Sequence, residues 1–354
     1  MRLKRVKKTK QEKKSYDISQ SALYKTSSKL KLAAIFSLGV PEMLNSVGDY
    51  KRFEMTPKPD PFNTGKQPKK RWVQKPKGKL LAIHERILKL LRCVEVPEYM
   101  QFALKGTSYK KNAEAHLAGG MVATLDISNF FGSTSKSQVF NFFRDRLECP
   151  GDIAKIYAEL VTCDDCIPTG SPLSPLLSYY SNKPLFDELS FLAKSLNLNF
   201  TCYVDDLTFS GAHISRGFLW QVEKIVRKYG HITASKKTRL FGIGVPKHIT
   251  GTVIAEGALK VPNIRFRKIR LIKSALEGKS SNFGFSNVQL KYKLGGLLGE
   301  AAYLDSDFKS LADEYNKKVR EINLVSLGGG EIYRPSPCTA ELADDNFIPP
   351  WETE

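Results

Sequence analysis

The chain has 354 residues, 42% of them hydrophobic and 10% aromatic, so it can bury a core of normal size and is not a disordered polymer. Its 55 Lys and Arg against 36 Asp and Glu leave a net charge of +19, which indicates a polyanion such as nucleic acid as a partner; a merely soluble basic protein is the alternative. There is no run of about 18 apolar residues, and the six cysteines are irregularly spaced. We therefore expect a cytoplasmic protein without a membrane span, a secretion signal or a disulfide framework.

The beginning and the end of the chain are distinguished by charge and by turn-forming residues. Lys and Arg dominate Met1–Lys14, which either binds phosphate or is a solvated tail, whereas Glu341–Glu354 carry only acidic charges. Ser19–Tyr50 has the apolar spacing of helices and predicts a small helical prefix. Thr56–Lys70 is rich in proline, glycine and lysine and is predicted to be an exposed basic linker.

The middle of the chain alternates between strand and helix patterns, which predicts an α+β fold. From Arg265 to Leu324 the pattern becomes mainly helical and predicts a separate helical subdomain. The predicted strands are Arg71–Val73, Met121–Ile127, a pair within Thr201–Ser210, and Ile249–Ile254. The predicted helices are Leu80–Leu91, Lys155–Val161 and Phe218–Tyr229.

Three carboxylates follow strand-like runs. Phe200–Gly211, FTCYVDDLTFSG, predicts a β-hairpin with Asp205 and Asp206 at its tip, although such a turn is often just solvated. Asp126 ends the apolar run of VATLDISNFF, where the alternative is a cap of the next turn or helix. Carboxylates on adjacent strand ends suit two magnesium ions, which prefer hard oxygen ligands. The predicted metal site comprises Asp126, Ile127, Asp205 and Asp206.

A turn-rich segment, Ile167–Ser178 or IPTGSPLSPLLS, lies between these carboxylates, and its small residues let backbone approach a nucleotide closely. With the order Asp126, PTGSPLSP, YVDD, the chain resembles reverse transcriptases, and the resemblance covers roughly Arg71–Leu324. Within that family, KNAEAH at Lys111–His116 is similar to the NAxxH element of retron enzymes, and HITG at His248–Gly251 is similar to their VTG element.

The resemblance implies a right-hand polymerase fold with fingers, a palm built on an antiparallel sheet, and a helical thumb. Residues 1–55 would be a basic tail and helical extension, 56–264 the fingers and palm, 265–325 the thumb, and 326–354 an acidic tail. It also implies an RNA-directed DNA polymerase in which the three aspartates are catalytic and two Mg²⁺ ions are the cofactor.

The resemblance further implies residues that bind the incoming nucleotide. Arg71, in KRWVQKP, matches a fingers residue at the triphosphate, and Phe131 matches the position beneath the sugar, where a bulky ring selects deoxynucleotides; the alternative is a core phenylalanine. Lys236 and Lys237, in ASKKTRLF, match a stretch that meets the triphosphate, and the alternative is a solvated basic turn. The loop contributes Thr169 and Gly170.

Three positions depart from the family pattern. Thr169 stands where the loop usually has glutamine, which removes a long amide from the edge of the nucleotide pocket. Val204 replaces the alanine of the usual YADD and is expected to crowd the primer end. Ile249 in place of valine is conservative. The change at Thr169 affects fidelity or template contact rather than the class of reaction.

A retron enzyme would use a 2′-hydroxyl of its own structured non-coding RNA as primer and make RNA-linked single-stranded DNA, called msDNA, from deoxynucleoside triphosphates. Its predicted RNA-binding residues here are Asn112, His116, His248, Thr250 and Gly251; for the first two the alternatives are a helix cap and a surface imidazole. Family membership implies bacterial antiphage defence with an effector or toxin protein as a further partner. The alternatives are a group II intron or diversity-generating reverse transcriptase, and a catalytically silent nucleic-acid-binding scaffold.

Cys163 and Cys166, in CDDC, have a spacing that can hold zinc or perform redox chemistry. A zinc site needs two more ligands, and the sequence has no second CxxC and no paired histidines. The redox interpretation needs a βαβ context, which is not predicted here. We therefore expect Asp164 and Asp165 to lie in an exposed acidic loop.

Overall fold

The structure, a computed structural model, describes residues 15–56, 60, 62 and 70–326. The predicted basic tail Met1–Lys14, the acidic tail Glu341–Glu354 and nearly all of the predicted linker Thr56–Lys70 lie outside the described residues. Within the described ranges, no helix is both long enough and apolar enough to cross a membrane.

Helices form where apolar residues recur at helical spacing and a polar side chain caps the first turn. Phe218, Val222 and Val226 are buried on one side of such a helix, and Ser215 accepts a hydrogen bond from the Phe218 N–H at its start. The described helices are α1 (Lys29–Ile35), α2 (Val40–Asn45), α3 (Gly78–Leu91), α4 (Tyr109–Glu114), α5 (Phe130–Ser133), α6 (Lys136–Asn141), α7 (Gly151–Val161), α8 (Ser174–Ser181), α9 (Lys183–Ser195), α10 (Arg216–Lys228), α11 (Asn263–Leu276), α12 (Asn287–Leu304) and α13 (Lys309–Ser326). Short 3₁₀ turns at Ile18–Gln20 and Ser306–Phe308 and a π-helical stretch at Phe142–Arg146 accompany them.

The strands pair into antiparallel sheets, so the α+β prediction is confirmed. One sheet has two strands, one has four in the order β4-β5-β3-β6, and one has three in the order β7-β8-β9. Their bounds are β1 (Tyr50–Met55), β2 (Arg71–Pro76), β3 (Met121–Asp126), β4 (Asn199–Tyr203), β5 (Asp206–Gly211), β6 (Arg239–Phe241), β7 (Lys247–Ile249), β8 (Thr252–Ala255) and β9 (Ala258–Lys260). The single strand predicted at Ile249–Ile254 is wrong, because Thr250 and Gly251 form the turn of a β7–β8 hairpin.

The four-stranded sheet has a front face and a rear face with different neighbours. Because side chains alternate along a strand, Asp126 and its register partner Asp206 share one face, which we call the front face. Leu125, Leu207 and Phe209 lie on the other, the rear face, and belong to the largest hydrophobic core. Helix α10 covers part of the rear face, where the Phe218 ring packs edge-on against Phe209 at 5.0 Å between centroids.

A smaller apolar cluster lies on the front face. Val122 of β3 packs there with Ala113 of α4 and with Ile254 of β8. The short helix α4 and the three-stranded sheet therefore partly cover the front face at Val122, four residues before Asp126 on β3.

Helices α11, α12 and α13 pack around a core of their own. Buried Ile272, Leu294 and Ala312 come one from each of these helices. The helical pattern predicted from Arg265 therefore corresponds to a compact helical unit that begins at Asn263. The division of the chain into fingers, palm and thumb stays a prediction.

Candidate active site

The acidic hairpin is closed by a two-residue turn. Tyr203, at the end of β4, pairs with Asp206, at the start of β5, so Val204 and Asp205 form the turn. Val204 has a φ of +58°, and a positive φ at the first turn residue is typical of the II′ turns that join tightly twisted strands. A β-branched side chain rarely adopts this conformation, so the surrounding sheet holds Val204 in a strained turn.

The three aspartates lie together at one end of the four-stranded sheet. Asp126 is directly opposite Asp206 in the β3–β5 register, and the Ile127 N–H donates a hydrogen bond to the Asp205 carbonyl at 2.9 Å. Directly opposed Cβ atoms in an antiparallel pair are about 5 Å apart. The side chain of Ile127 is fully buried, so only its backbone could reach a metal ion.

The oxygen-bearing side chains at this end of the sheet are of the type that binds a divalent cation. Carboxylate oxygens on neighbouring strands are what Mg²⁺ prefers. Within the part of the chain that the structure describes, however, no three His, Cys, Asp or Glu side chains are gathered closely enough to form a metal cluster. The Asp126 carboxylate instead accepts a 2.9 Å hydrogen bond from the Lys237 ammonium, so binding two cations would require the carboxylates to turn toward one another.

Lys237 is the lysine that reaches the carboxylates. Partial burial lowers its pKa, but the hydrogen bond to Asp126 and the charges of Asp205 and Asp206 outweigh that effect, so the pKa of Lys237 is raised. Lys236 and Lys237 are both exposed, but the hydrogen bond to Asp126 comes from Lys237, whereas the Lys236 carbonyl accepts a hydrogen bond from Arg239. The structure thus favours Lys237 over Lys236 as the cation next to the site.

The predicted nucleotide loop is fastened to strand β2. The Gly170 N–H donates to the Gln74 carbonyl at 3.2 Å, and the Thr169 hydroxyl donates to the Trp72 carbonyl at 3.0 Å. A Cβ on Gly170 would lie 2.6 Å from Val73 Cγ1 and 2.8 Å from the Gln74 carbonyl oxygen, so only glycine permits this approach. The loop and the exposed Arg71 at the start of β2 therefore belong to one structural unit.

Phe131 lies on the short helix α5, directly after β3, and is partly buried beside Phe130.

A buried polar network that the sequence did not reveal includes Ser133 of this helix. The Ser133 hydroxyl is 2.7 Å from His231 Nδ1, and His231 Nε2 is 2.8 Å from Asn182 Oδ1. Burial lowers the pKa of His231 to about 4, so its ring is neutral at neutral pH. The network fixes the segment that carries Phe131.

Asn112 and His116 are buried rather than displayed on the surface. His116 is 1% exposed, and its two ring nitrogens are each 2.7 Å from a hydroxyl, of Ser210 and of Thr201. Asn112 is fully buried and its amide donates to the Thr250 hydroxyl at 3.2 Å. The alternative of a surface imidazole for His116 is therefore wrong, and the burial argues against direct RNA contact by either side chain.

The remaining predicted RNA-binding residues lie on the β7–β8 hairpin. Thr250 and Gly251 form its turn with φ values of +41° and +75°, which match a type I′ turn. His248 is exposed, and Thr250 and Gly251 are partly exposed. Because Asn112 binds Thr250, the two elements that resemble retron enzymes contact each other in the structure.

The CDDC segment forms a tight hairpin. Cys163 and Cys166 exchange both backbone hydrogen bonds, and Asp164 and Asp165 occupy the turn with positive φ values. Both aspartates are exposed, as expected, and Arg52 donates to Asp164 at 2.9 Å. Burial raises the pKa of Cys163 to about 11 and also raises that of Cys166, which disfavours the thiolates that metal binding or redox chemistry needs.

No protein-family model matches the chain, but several curated retron reverse transcriptases do, at 23% to 33% identity. The Retron Se72 reverse transcriptase of Salmonella heidelberg (strain 579083-10) is 33% identical over 166 residues, which make up 46% of this chain and 41% of that protein. The Retron Ec86 reverse transcriptase of Escherichia coli is 28% identical over 183 residues, 50% of this chain and 56% of that protein.

Among solved structures, a foamy viral protease-reverse transcriptase in complex with double-stranded DNA is 16% identical, with a TM-score of 0.45 over 89% of this chain and 48% of that chain. A likeness at that level does not assign the fold. The chain spans about half the length of the first curated relatives it matches. By sequence, the chain is similar to curated retron reverse transcriptases over roughly half of its length or more.

Proposed function

We propose that the protein is an RNA-directed DNA polymerase with a right-hand fold, which extends a primer by adding deoxynucleotides opposite an RNA template. The observation that carries this proposal is the register of Asp126 opposite Asp206, with Asp205 in the adjoining turn. Acidic side chains from a central strand and from a neighbouring hairpin lie at one end of one antiparallel sheet. The curated retron relatives support the same reaction class.

In this mechanism Asp126, Asp205 and Asp206 would hold two Mg²⁺ ions, and the backbone of Ile127 would be a further ligand. The ions, when bound, supply charge neutralisation at the triphosphate and activation of the attacking hydroxyl. Lys237 keeps its proton, because the carboxylates raise its pKa. The Lys237 ammonium, which lies beside Asp126, would stabilise negative charge on the leaving pyrophosphate.

The rest of the pocket would orient the nucleotide. Arg71 at the start of β2 and the backbone of Thr169 and Gly170 would bind the triphosphate and the base pair from the side of the loop. Phe131, placed just beyond Asp126 and held by the network behind α5, would exclude a 2′-hydroxyl by steric contact. Lys236 would contribute a longer-range attraction to phosphate.

The finer proposal is a retron activity: priming from a 2′-hydroxyl of the enzyme's own structured RNA, synthesis of msDNA, and antiphage defence with an effector protein. It rests on the sequence similarity to curated retron reverse transcriptases and on the elements that contain Asn112 and His248. His248, Thr250 and Gly251 would contact the RNA. Asn112 would support that hairpin through its hydrogen bond to Thr250, whereas His116 would support the β4–β5 hairpin through Thr201 and Ser210. A group II intron or diversity-generating enzyme and a silent scaffold are the competing possibilities.

Primer extension on an annealed RNA template with Mg²⁺ tests the polymerase proposal. Asp126→Asn, Asp205→Asn and Asp206→Asn should each abolish synthesis, and a double variant should be no worse, because residues that act as one unit fail together. Asp165→Asn, on the exposed acidic turn, is the matched control and should retain activity. Near-normal synthesis by any of the first three variants would remove the two-metal assignment, and an inactive wild type that still binds RNA would favour the scaffold.

The retron proposal needs a second comparison, between self-primed synthesis on the cognate RNA and extension of an annealed primer on a generic template. His248→Ala should impair the first reaction and spare the second, since its exposed ring lies on the β7–β8 hairpin and away from the polymerising carboxylates. Equal losses in both reactions would mean that the hairpin supports the general active site, and would count against the retron-specific part of the proposal.

A further inference from the structure

The outward face of α10 carries a row of cations around one exposed tryptophan. Arg216, Trp220, Lys224 and Arg227 are all exposed, and at 100° per residue their positions fall within a quarter of the helix circumference. Trp220 is 61% exposed, and the Lys224 ammonium lies over its ring at 5.4 Å from the centroid. Together we call these four residues the α10 stripe.

The α10 stripe lies away from the candidate active site. Helix α10 packs on the rear face of the four-stranded sheet through Phe218, whereas the Asp126 and Asp206 side chains belong to the front face. The stripe occupies the side of the helix opposite to buried Phe218 and Val222, so it faces solvent. A ligand on the stripe would therefore not compete with a primer and template for the same surface.

The local chemistry of the stripe fits an anion that also offers a flat ring. Arg216 is the first residue of α10, where a cation opposes the helix dipole, so helix stability does not account for it. A shallow cleft of about 170 Å³ is lined by Trp220, Lys224, Arg227 and Glu223. Glu223 lies 4.0 Å from Arg227 and offsets only one of the three cations.

We infer that the α10 stripe is a second nucleic-acid-binding surface, which takes an unpaired strand by stacking a base on Trp220 and by pairing phosphates with Arg216, Lys224 and Arg227. The inference rests on the proposed function only in taking nucleic acid as the ligand. The stripe spans about 16 Å along the helix axis, enough for a few nucleotides. Aromatic rings within basic surfaces bind single strands regardless of sequence, because every base has a face to stack. In a duplex the bases are already stacked on one another, so no base face is free to stack on the Trp220 ring.

The test uses the full chain with its active site first filled by an excess of non-extendable RNA–DNA primer–template duplex. Binding of a fluorescein-labelled 12-nucleotide single-stranded RNA is then followed by anisotropy. Trp220→Ala should weaken binding about tenfold or more, and Trp220→Phe should restore most of it. Lys224→Ala and Arg227→Ala should each reduce the slope of log affinity against log salt by about 0.7. Phe191→Ala is the matched control, because Phe191 is a 75% exposed aromatic on the neighbouring helix α9.

Three results would overturn the inference. The first is that the Trp220→Ala variant binds the strand as tightly as the Phe191→Ala variant does. The second is that the Trp220→Phe variant binds the strand as weakly as the Trp220→Ala variant. The third is that poly-glutamate displaces the strand as effectively as unlabelled RNA, which would indicate a site for an acidic protein. Primer extension by the wild type is measured in parallel. If the wild type binds the strand but does not extend the primer, the proposed polymerase activity is wrong and the inference about the α10 stripe still holds.

Discussion

Replacing His116 by alanine gives the sharpest test of how α4 supports the active site. The ring joins Ser210 of β5 to Thr201 of β4, the two strands of the catalytic hairpin. Loss of the ring leaves two buried hydroxyls without these partners and opens a cavity. Each hydroxyl that stays without a hydrogen bond destabilises the folded state by about 1–3 kcal/mol. We expect His116→Ala to lower the free energy of unfolding by about 3 kcal/mol at pH 7.5 and to weaken both DNA-synthesis reactions in parallel.

The same substitution has a defined dependence on pH. Burial lowers the pKa of His116 from 6.5 to about 4, so the folded protein binds the proton more weakly than the unfolded chain does. The stability that the neutral ring contributes is therefore fully present above pH 6.5 and is lost as the pH falls toward 4. The depression of the pKa corresponds to about 3 kcal/mol. The stability gap between wild type and His116→Ala should narrow across this window.

Urea unfolding at several pH values between 7.5 and 4.5 measures both effects. Burial lowers the pKa of His84 and of His231 in the same direction, but both residues are present in the two proteins, so their contributions cancel in the difference. His248→Ala, at an exposed site, should change stability by less than about 0.5 kcal/mol. The reasoning would be refuted if His116→Ala kept wild-type stability and lost only self-primed synthesis, because that pattern requires direct RNA contact.

Three further substitutions address the nucleotide site. Phe131→Ala should admit ribonucleotides while deoxynucleotide use continues, measured as the ratio of kcat/KM for the two sugars; an unchanged ratio would make Phe131 a core residue. Gly170→Ala should force the loop off β2, cost about 1–3 kcal/mol and raise KM for the nucleotide, whereas Gly242→Ala, with open space around it, should do neither. Lys237→Ala should lower kcat by about 10²-fold if its ammonium stabilises the leaving group, and a wild-type kcat would exclude that role.

The parts of the site that local sequence controls could be predicted. Alternating apolar residues on both sides of Asp205 and Asp206 define a hairpin, and the structure confirms β4 and β5. The turn lies one residue earlier than predicted, at Val204 and Asp205, so Asp206 begins β5. The apolar run before Asp126 likewise becomes β3. These elements depend on strand periodicity and turn geometry, both of which act over a few residues.

The parts that depend on distant contacts could not be predicted. From the sequence, His116 was predicted to bind RNA, with a surface imidazole as the alternative, and neither interpretation places its ring in the interior. Its burial depends on Thr201 and Ser210, far along the chain. Lys236 and Lys237 are adjacent and alike in sequence. The backbone bond from the Ala234 N–H to the Asp126 carbonyl at 2.8 Å holds their segment beside β3, where Lys237 reaches Asp126.

The order of strands in the four-stranded sheet determines when the active site can assemble as the chain is synthesised. Of the strands in this sheet, β3 is synthesised first. Its neighbour β5 follows only after helices α5 to α9, and its other neighbour β6 follows after α10. Pairs so distant must close a large loop before they gain any contacts, which slows folding. Until β5 emerges, Ala123 and Leu125 on the rear side of β3 lack their partner strand, and such edges aggregate readily. A nascent chain released before Asp206 is therefore expected to misfold rather than to form half of a site.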